Sequence, residues 1–249
     1  MANFEVSTVQ TPIIISINGN IGSGKSTYLD FIKNAFQGRD DILFLQEPVG
    51  EWEKLQDEEG NNLIEKYYKN QSKYAFAFQV NAFMTRYKLI KEAMQKNVKY
   101  IITERCLFTD KNIFAKMLYH SKTMEKVEYE IYNSMFEEYN TIMKNPIFIY
   151  IRTDPEICKS RIEKRNRKGE SSVDIEYLKL CHEYHEQWLL NKHVLHKMVV
   201  NGDPNIDFNM SATKQDAKTM EWLDALNAFL EFYNSSDGVD FTTRNVVYA

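Results

Sequence analysis

Residues 19–27 read Gly19-Asn20-Ile21-Gly22-Ser23-Gly24-Lys25-Ser26-Thr27 and satisfy G-x-x-x-x-G-K-[ST]. The apolar run Ile13–Ile17 precedes them, and Thr27–Phe36 follows with Tyr28, Phe31, Ile32 and Ala35 on one stripe. A phosphate-binding loop between a buried strand and a helix confines the chain to an α/β fold whose ligands sit at the carboxyl ends of parallel strands. The residue types follow from the chemistry. Glycines let backbone N–H groups curl around phosphate oxygens, the helix N-terminus adds partial positive charge, Lys25 reaches the β and γ oxygens, and Ser26 offers a magnesium ligand.

Four further β-rich runs, Ile42–Leu45, Tyr100–Thr103, Ile147–Ile151 and Met198–Val200, have the continuous apolar character of strands covered on both faces. Helical patterns separate them at Lys73–Lys96, Glu125–Lys144, Ile175–Leu195 and Lys214–Phe232, and Asp154-Pro155 reads as a cap with proline at the first helical position. This alternation predicts a five-stranded parallel sheet flanked by helices. A length of 249 residues fits one domain, taken as residues 1–233, with 234–249 an extension of unassigned role.

A formal charge of −4 argues against a nucleic-acid coat. Cys106, Cys158 and Cys181 are odd in number and widely spaced, which suits a reducing compartment and neither a disulfide framework nor a zinc site. The first eleven residues hold Glu5 and no Arg or Lys, and no apolar run approaches the ~18 residues of a membrane span. The expectation is a cytoplasmic protein without membrane or nucleic-acid partners.

The class of phosphate-loop protein is narrowed by what is missing. The nearest string to a guanine-reading N-K-x-D, Asn191-Lys192-His193-Val194, lacks the aspartate and falls within a predicted helix. Asp57-Glu58-Glu59-Gly60 matches D-x-x-G, but in a charged loop and not at a strand end. The third strand ends Thr103-Glu104-Arg105, without the Asp-Glu pair of large ATPases. A small-molecule kinase remains. For such an enzyme Glu47, closing the second strand beside Pro48, is placed to accept a proton from an alcohol. Arg161, Lys164, Arg165, Arg167 and Lys168 form a basic cluster, with 161, 165 and 168 on one helical face, suited to the far side of a triphosphate.

Taken in order, Gly19–Thr27, Glu47-Pro48-Val49 with Trp52, Phe78-Gln79, Glu104-Arg105 and the arginine-rich lid from Arg161 resemble the deoxyribonucleoside kinases, over Ile13 to about Tyr233. The resemblance implies ATP as phosphoryl donor and Mg2+ as its metal, the latter held by Ser26 and Glu104. It implies Glu47 as base, Arg105 orienting it, Arg161 and Arg165 as catalytic lid residues, and Arg167 as an ATP-side contact. It gives Gln79 to the nucleobase edge, Trp52, Phe78 and Phe114 to the pocket walls, and Tyr68 and Glu170 to the 3′-hydroxyl. Asp207-Phe208 resembles the family's adenine-binding loop. Gly169 departs from the family, where many relatives carry a second acid, and this bears on the hinge of the lid.

Ala82, Arg86 and Asp110 look like the deoxycytidine and deoxyguanosine kinase branch, which implies deoxypurines or deoxycytidine over thymidine. Relatives dimerise through helices corresponding to Lys73–Lys96 and Glu125–Lys144, and Phe76, Phe83, Tyr129, Tyr132 and Phe136 suggest a second buried face there. The competing reading is a nucleoside monophosphate kinase of the thymidylate kinase type, which needs a basic group for an acceptor phosphate where this sequence offers Glu47, Tyr68 and Glu170.

Overall fold

A computed structural model describes residues 11–194, 196–203, 222–224, 226–228, 230–231 and 246–247. The five predicted strands are β1 (Ile13–Asn18), β2 (Ile42–Leu45), β3 (Tyr100–Glu104), β4 (Ile147–Arg152) and β5 (Lys197–Asn201). They pair in parallel, and a two-residue β6 (Val246–Val247) adds to the edge, giving the order β2-β3-β1-β4-β5-β6. With β1 central, the chain leaves it toward β2 on one side, whereas β3 feeds β4 on the other. The crevice at the carboxyl ends of β1, β2 and β3 is the switch point where α/β sheets bind ligands.

Alternate side chains of the strands supply the two cores. Ile15, Ile17, Ile102 and Ile149 pack with Tyr28, Leu29 and Ile32 of α1 (Lys25–Ala35) and with Trp222, Leu226 and Leu230. Ile14, Ile101, Phe148 and Tyr150 face the opposite layer. There they meet Phe83 and Ile90 of α4 (Gln71–Ala93), Tyr132 and Phe136 of α7 (Lys126–Tyr139) and Leu189 of α9 (Ile175–Leu189). Residues 222–224, 226–228 and 230–231 are helical, within the predicted Lys214–Phe232 segment.

Several expectations are corrected. Phe83, Tyr132 and Phe136 lie in the protomer's own core, not on a second face. Helix α8 (Pro155–Arg165) ends where Asn166 takes the left-handed conformation, so Lys168 leaves the helical face it was assigned with Arg161 and Arg165. Helix α9 stops at Leu189, leaving Asn191–Val194 in a turn and not mid-helix. Strand β2 ends at Leu45, so Glu47 stands two residues past the strand end it was expected to close.

Three helical segments escape sequence periodicity. Helices α2 (Val49–Lys54) and α3 (Leu63–Lys69) are too short to show it. The third is continuous from α5 (Leu107–Thr109) through a π-helical turn (Asp110–Ala115) into α6 (Lys116–His120). The cysteines are all buried and unpaired. Among the described residues no helix is long and apolar enough to cross a membrane.

Candidate active site

The phosphate loop is held from behind. The Asn20 side-chain amide donates to the Leu178 carbonyl at 2.8 Å, and Thr153 Oγ1 donates to the Ser23 carbonyl at 3.0 Å. Gly22 has φ 77°, and a Cβ there would lie 2.5 Å from the Cys158 carbonyl oxygen, so only glycine lets helix α8 approach the loop this closely. Lys25 is buried and donates to the Asn20 carbonyl at 2.6 Å. Burial and the neighbouring Arg105 guanidinium lower its ammonium to about 7. Ser26 Oγ donates to Glu104 Oε1 at 3.0 Å across the mouth of the loop.

In front of the loop opens a cavity of about 640 Å³. Ile21, Gly22, Gly24, Lys25, Ser26 and Thr27 form one wall, while Gly19, Asn20 and Ser23 stand behind it. Glu47 sits between the phosphate side and the acceptor side. Arg105 Nη1 and Arg86 Nη2 each donate to its Oε1 at 2.7 Å. Burial pushes the Glu47 carboxyl up, but Arg105, Arg86 and Lys25 outweigh it and hold it at about 2. Arg105 reaches this position from a backbone at φ 59°, stacks over Phe114 at 5.0 Å and also donates to the Gly19 carbonyl at 3.3 Å. Left-handed backbone in a bulky residue is costly and persists where packing holds it, here between Glu47 and the phosphate loop.

Trp52, Tyr68, Phe78, Gln79, Ala82, Arg86, Asp110, Phe114 and Glu170, which the sequence assigns to the acceptor, all line this cavity. Trp52 meets Phe78 edge-on at 5.4 Å and is fixed by a hydrogen bond from Nε1 to Thr85 Oγ1 at 2.9 Å. Gln79 is 1% exposed, and its Oε1 has no hydrogen-bond partner among the described residues, which marks a buried acceptor facing the cavity. The π-helical turn carries both Asp110 and Phe114 to the cavity. The two residues are four apart and so lie on one face of that turn, as i and i+4 side chains of a helix do. Burial raises the Asp110 carboxyl to about 6 despite Arg86 beside it, which leaves it ionised at neutral pH.

The lid closes the third side. Arg161 donates to the carbonyls of Gly202 at 2.8 Å and Asp203 at 3.2 Å. Glu170 receives Arg165 at 2.5 Å and Arg167 at 3.1 Å, and Lys168 pairs with Glu65 of α3 at 2.9 Å. Gly169 has φ 88°, and a Cβ there would lie 3.2 Å from Glu65 Cγ and 3.3 Å from its Cα, so the departure from the resembled pattern coincides with a close contact between lid and α3. Asp207 and Phe208 lie outside the described residues.

Sequence reasoning missed Tyr67 and Tyr177, which also line the cavity and share a hydroxyl–hydroxyl hydrogen bond of 3.0 Å. Tyr67 stacks on Phe78 at 4.6 Å. Nothing in the sequence distinguishes either from core tyrosines; only adjacency to Tyr68 and to the lid could have pointed to them.

A phosphate loop facing a cavity walled by aromatic side chains, with a carboxylate between them, defines a P-loop small-molecule kinase. Residues 15–226 match the family model described as deoxynucleoside kinase. A probable deoxycytidine kinase of fowlpox virus is 38% identical over 203 residues, 79% of this chain and 82% of its own. Deoxycytidine kinase of Bos taurus is 32% identical over 199 residues, 72% and 75% of the two chains. Human mitochondrial thymidine kinase 2 is 31% identical over 182 residues, 71% and 64%. The chain belongs to the deoxynucleoside kinase family and is an ATP-dependent phosphotransferase.

Proposed function

We propose that the protein transfers the γ-phosphoryl group of ATP to the 5′-hydroxyl of deoxyadenosine, deoxyguanosine or deoxycytidine in preference to thymidine, supplying DNA precursors by salvage. The observation that carries this reading is Glu47, anchored on Arg86 and Arg105 between Lys25 of the phosphate loop and the aromatic acceptor walls. Its Oε1 takes both arginines, and its Oε2 accepts no hydrogen bond from the described residues. In the reaction Glu47 takes the proton of the 5′-hydroxyl as that oxygen bonds to the γ-phosphorus, the bond from phosphorus to the β–γ bridging oxygen breaks, and ADP leaves with the electron pair. Lys25, Arg105 and the lid arginines Arg161 and Arg165 meet the charge on the phosphoryl oxygens, and Arg167 serves the ATP side.

Residues Ser26 and Glu104 suit a magnesium ion. A hydroxyl and a carboxylate oxygen 3.0 Å apart make a hard oxygen donor set of the kind that would hold this ion. When bound, the ion would neutralise phosphate charge. Tyr68 and Glu170 lie on the acceptor side, as 3′-hydroxyl contacts require. Arg86 and Asp110 are paired inside the pocket; the pair occupies the space of a thymine methyl group, and the Asp110 carboxylate accepts from an exocyclic amine. Residues 1–233 form the catalytic unit, 234–249 extend it, and the working form is a homodimer.

ATP consumption measured with magnesium against each of the four deoxynucleosides tests this, beside a Glu47→Gln variant expected to lose at least ~100-fold in kcat. Turnover of a deoxynucleoside monophosphate in place of all four nucleosides would overturn it. A thymidine kcat/KM equal to the others would overturn the preference alone.

A further inference from the structure

Arg86 is 2% exposed and spans two acids from different elements. Its Nη1 donates to both Asp110 oxygens at 2.6 and 2.5 Å, while Nη2 donates to Glu47 Oε1 at 2.7 Å. A guanidinium usually sets two parallel N–H groups on one carboxylate. Here Nε has no partner among the described residues, and the fork is divided between two carboxylates. The face of the group lies over Trp52 at 5.7 Å, so the planar cation is fixed in orientation as well as position. The same Glu47 oxygen takes Arg105 Nη1, which leaves the carboxylate clamped from two directions. The charged groups around Glu47 are then Arg105 at the end of β3, Arg86 on α4 and Lys25 on α1, with Asp110 behind Arg86.

We infer that Arg86 is a positioning residue for Glu47, tying the nucleobase end of the acceptor cavity to the carboxylate that receives the 5′-hydroxyl proton. The inference rests on the function proposed above and adds a second task to a residue otherwise assigned to base selection. A base that presses on Asp110 or on the guanidinium moves a rigid fork, and the fork moves Glu47 with it. Base recognition is thereby expressed in kcat and not in binding alone.

The test is a double-mutant cycle in kcat with ATP and the acceptor saturating. Arg86→Met alone strands Asp110 as an unpaired buried carboxylate, so Arg86→Met/Asp110→Ala carries the comparison, with Asp110→Ala as its control. The paired substitution is expected to lower kcat on the order of 10- to 100-fold, and further than Asp110→Ala alone, which loosens the fork but leaves the guanidinium on Glu47. In a Glu47→Gln background the paired substitution is expected to change the residual kcat by less than about threefold, because the group it acts through is gone. Arg86→Lys, a point charge that cannot divide itself between two acids, should rescue only part of the loss. Equal losses in both backgrounds, or a change confined to KM, would overturn the inference. A parent enzyme that turned over no deoxynucleoside would overturn the proposed function, and with it the acceptor assumed here.

Discussion

Lys25 shows how far a single residue's surroundings alter its chemistry. Burial and Arg105 lower its ammonium from 10.5 to about 7. A triphosphate alongside it restores the charged form, so ATP binding must take up a proton wherever the free site has lost one. At pH 8, above most of ATP's own titration, the uptake should approach about one proton per ATP, and affinity should fall as pH rises above 7. Calorimetry in two buffers of different ionisation enthalpy measures this; identical enthalpies would refute it. Glu47 responds in the opposite sense. Its folded carboxyl is held at about 2 against an ordinary 4.5, so it contributes stability above pH 4.5 that is lost as pH falls from there toward 2. Acid unfolding monitored by circular dichroism should therefore show Glu47→Gln losing less stability than the parent between pH 5 and 3, and parallel losses would speak against it. These roles were partly legible, since the sequence marks Lys25 and Glu47 as reactive groups. It does not mark Arg86, 39 positions from Glu47, as the group that grips it, because that contact exists only after α4 packs beside the β2 end.

At the scale of elements, the lid and α3 form one unit. Past the end of α8, Asn166 and Gly169 both adopt positive φ, and the segment between them turns back onto Glu65. Helix α3 is itself started by Asn62 and Glu65 in a reciprocal capping box, and its Ile64, Tyr67 and Tyr68 line the cavity. Magnitudes separate the two links between them. Lys168 is 73% exposed, and exposed ion pairs contribute little, so Lys168→Ala should leave stability and kcat close to the parent's. Gly169→Ala forces a side chain into left-handed backbone against Glu65, which should cost about 1–2 kcal/mol in urea denaturation and displace Arg165 and Arg167 enough to lower kcat about tenfold. A Gly169→Ala enzyme kinetically equal to the parent would dissolve the coupling. The basic cluster was readable as a lid, yet its docking was not, because α3 has seven residues and no visible period. The stretch 107–120 was hidden for another reason: a three-residue α-turn, a π-helical turn and a five-residue α-turn follow one another, so no steady 3.6-residue repeat runs through it.

For the whole molecule, the parallel sheet was legible because strands buried on both faces are continuous apolar runs, and their carboxyl ends located the site before any contact was known. Assembly was read from Lys73–Lys96 and Glu125–Lys144 through residues that prove to be interior: Phe83, Tyr132 and Phe136 were counted toward an outer face but are buried, and aromatic residues on an inner stripe look the same in sequence. The described residues that do expose large apolar side chains are Leu55, Met84, Val127, Ile131 and Leu190, and three of these belong to α4 and α7. Val127 and Ile131 stand one turn apart on α7, which packs against α4. A second copy brought against this pair of helices by a two-fold axis would cover all three at once, as an isologous interface requires. Sedimentation velocity should therefore find a dimer for the parent chain and a shift toward monomer for Met84→Glu/Ile131→Glu, since burying two like charges per subunit opposes association. A parent chain that sediments as a monomer at every concentration would refute the dimer; a doubly substituted chain that remains dimeric would move the interface off α4 and α7.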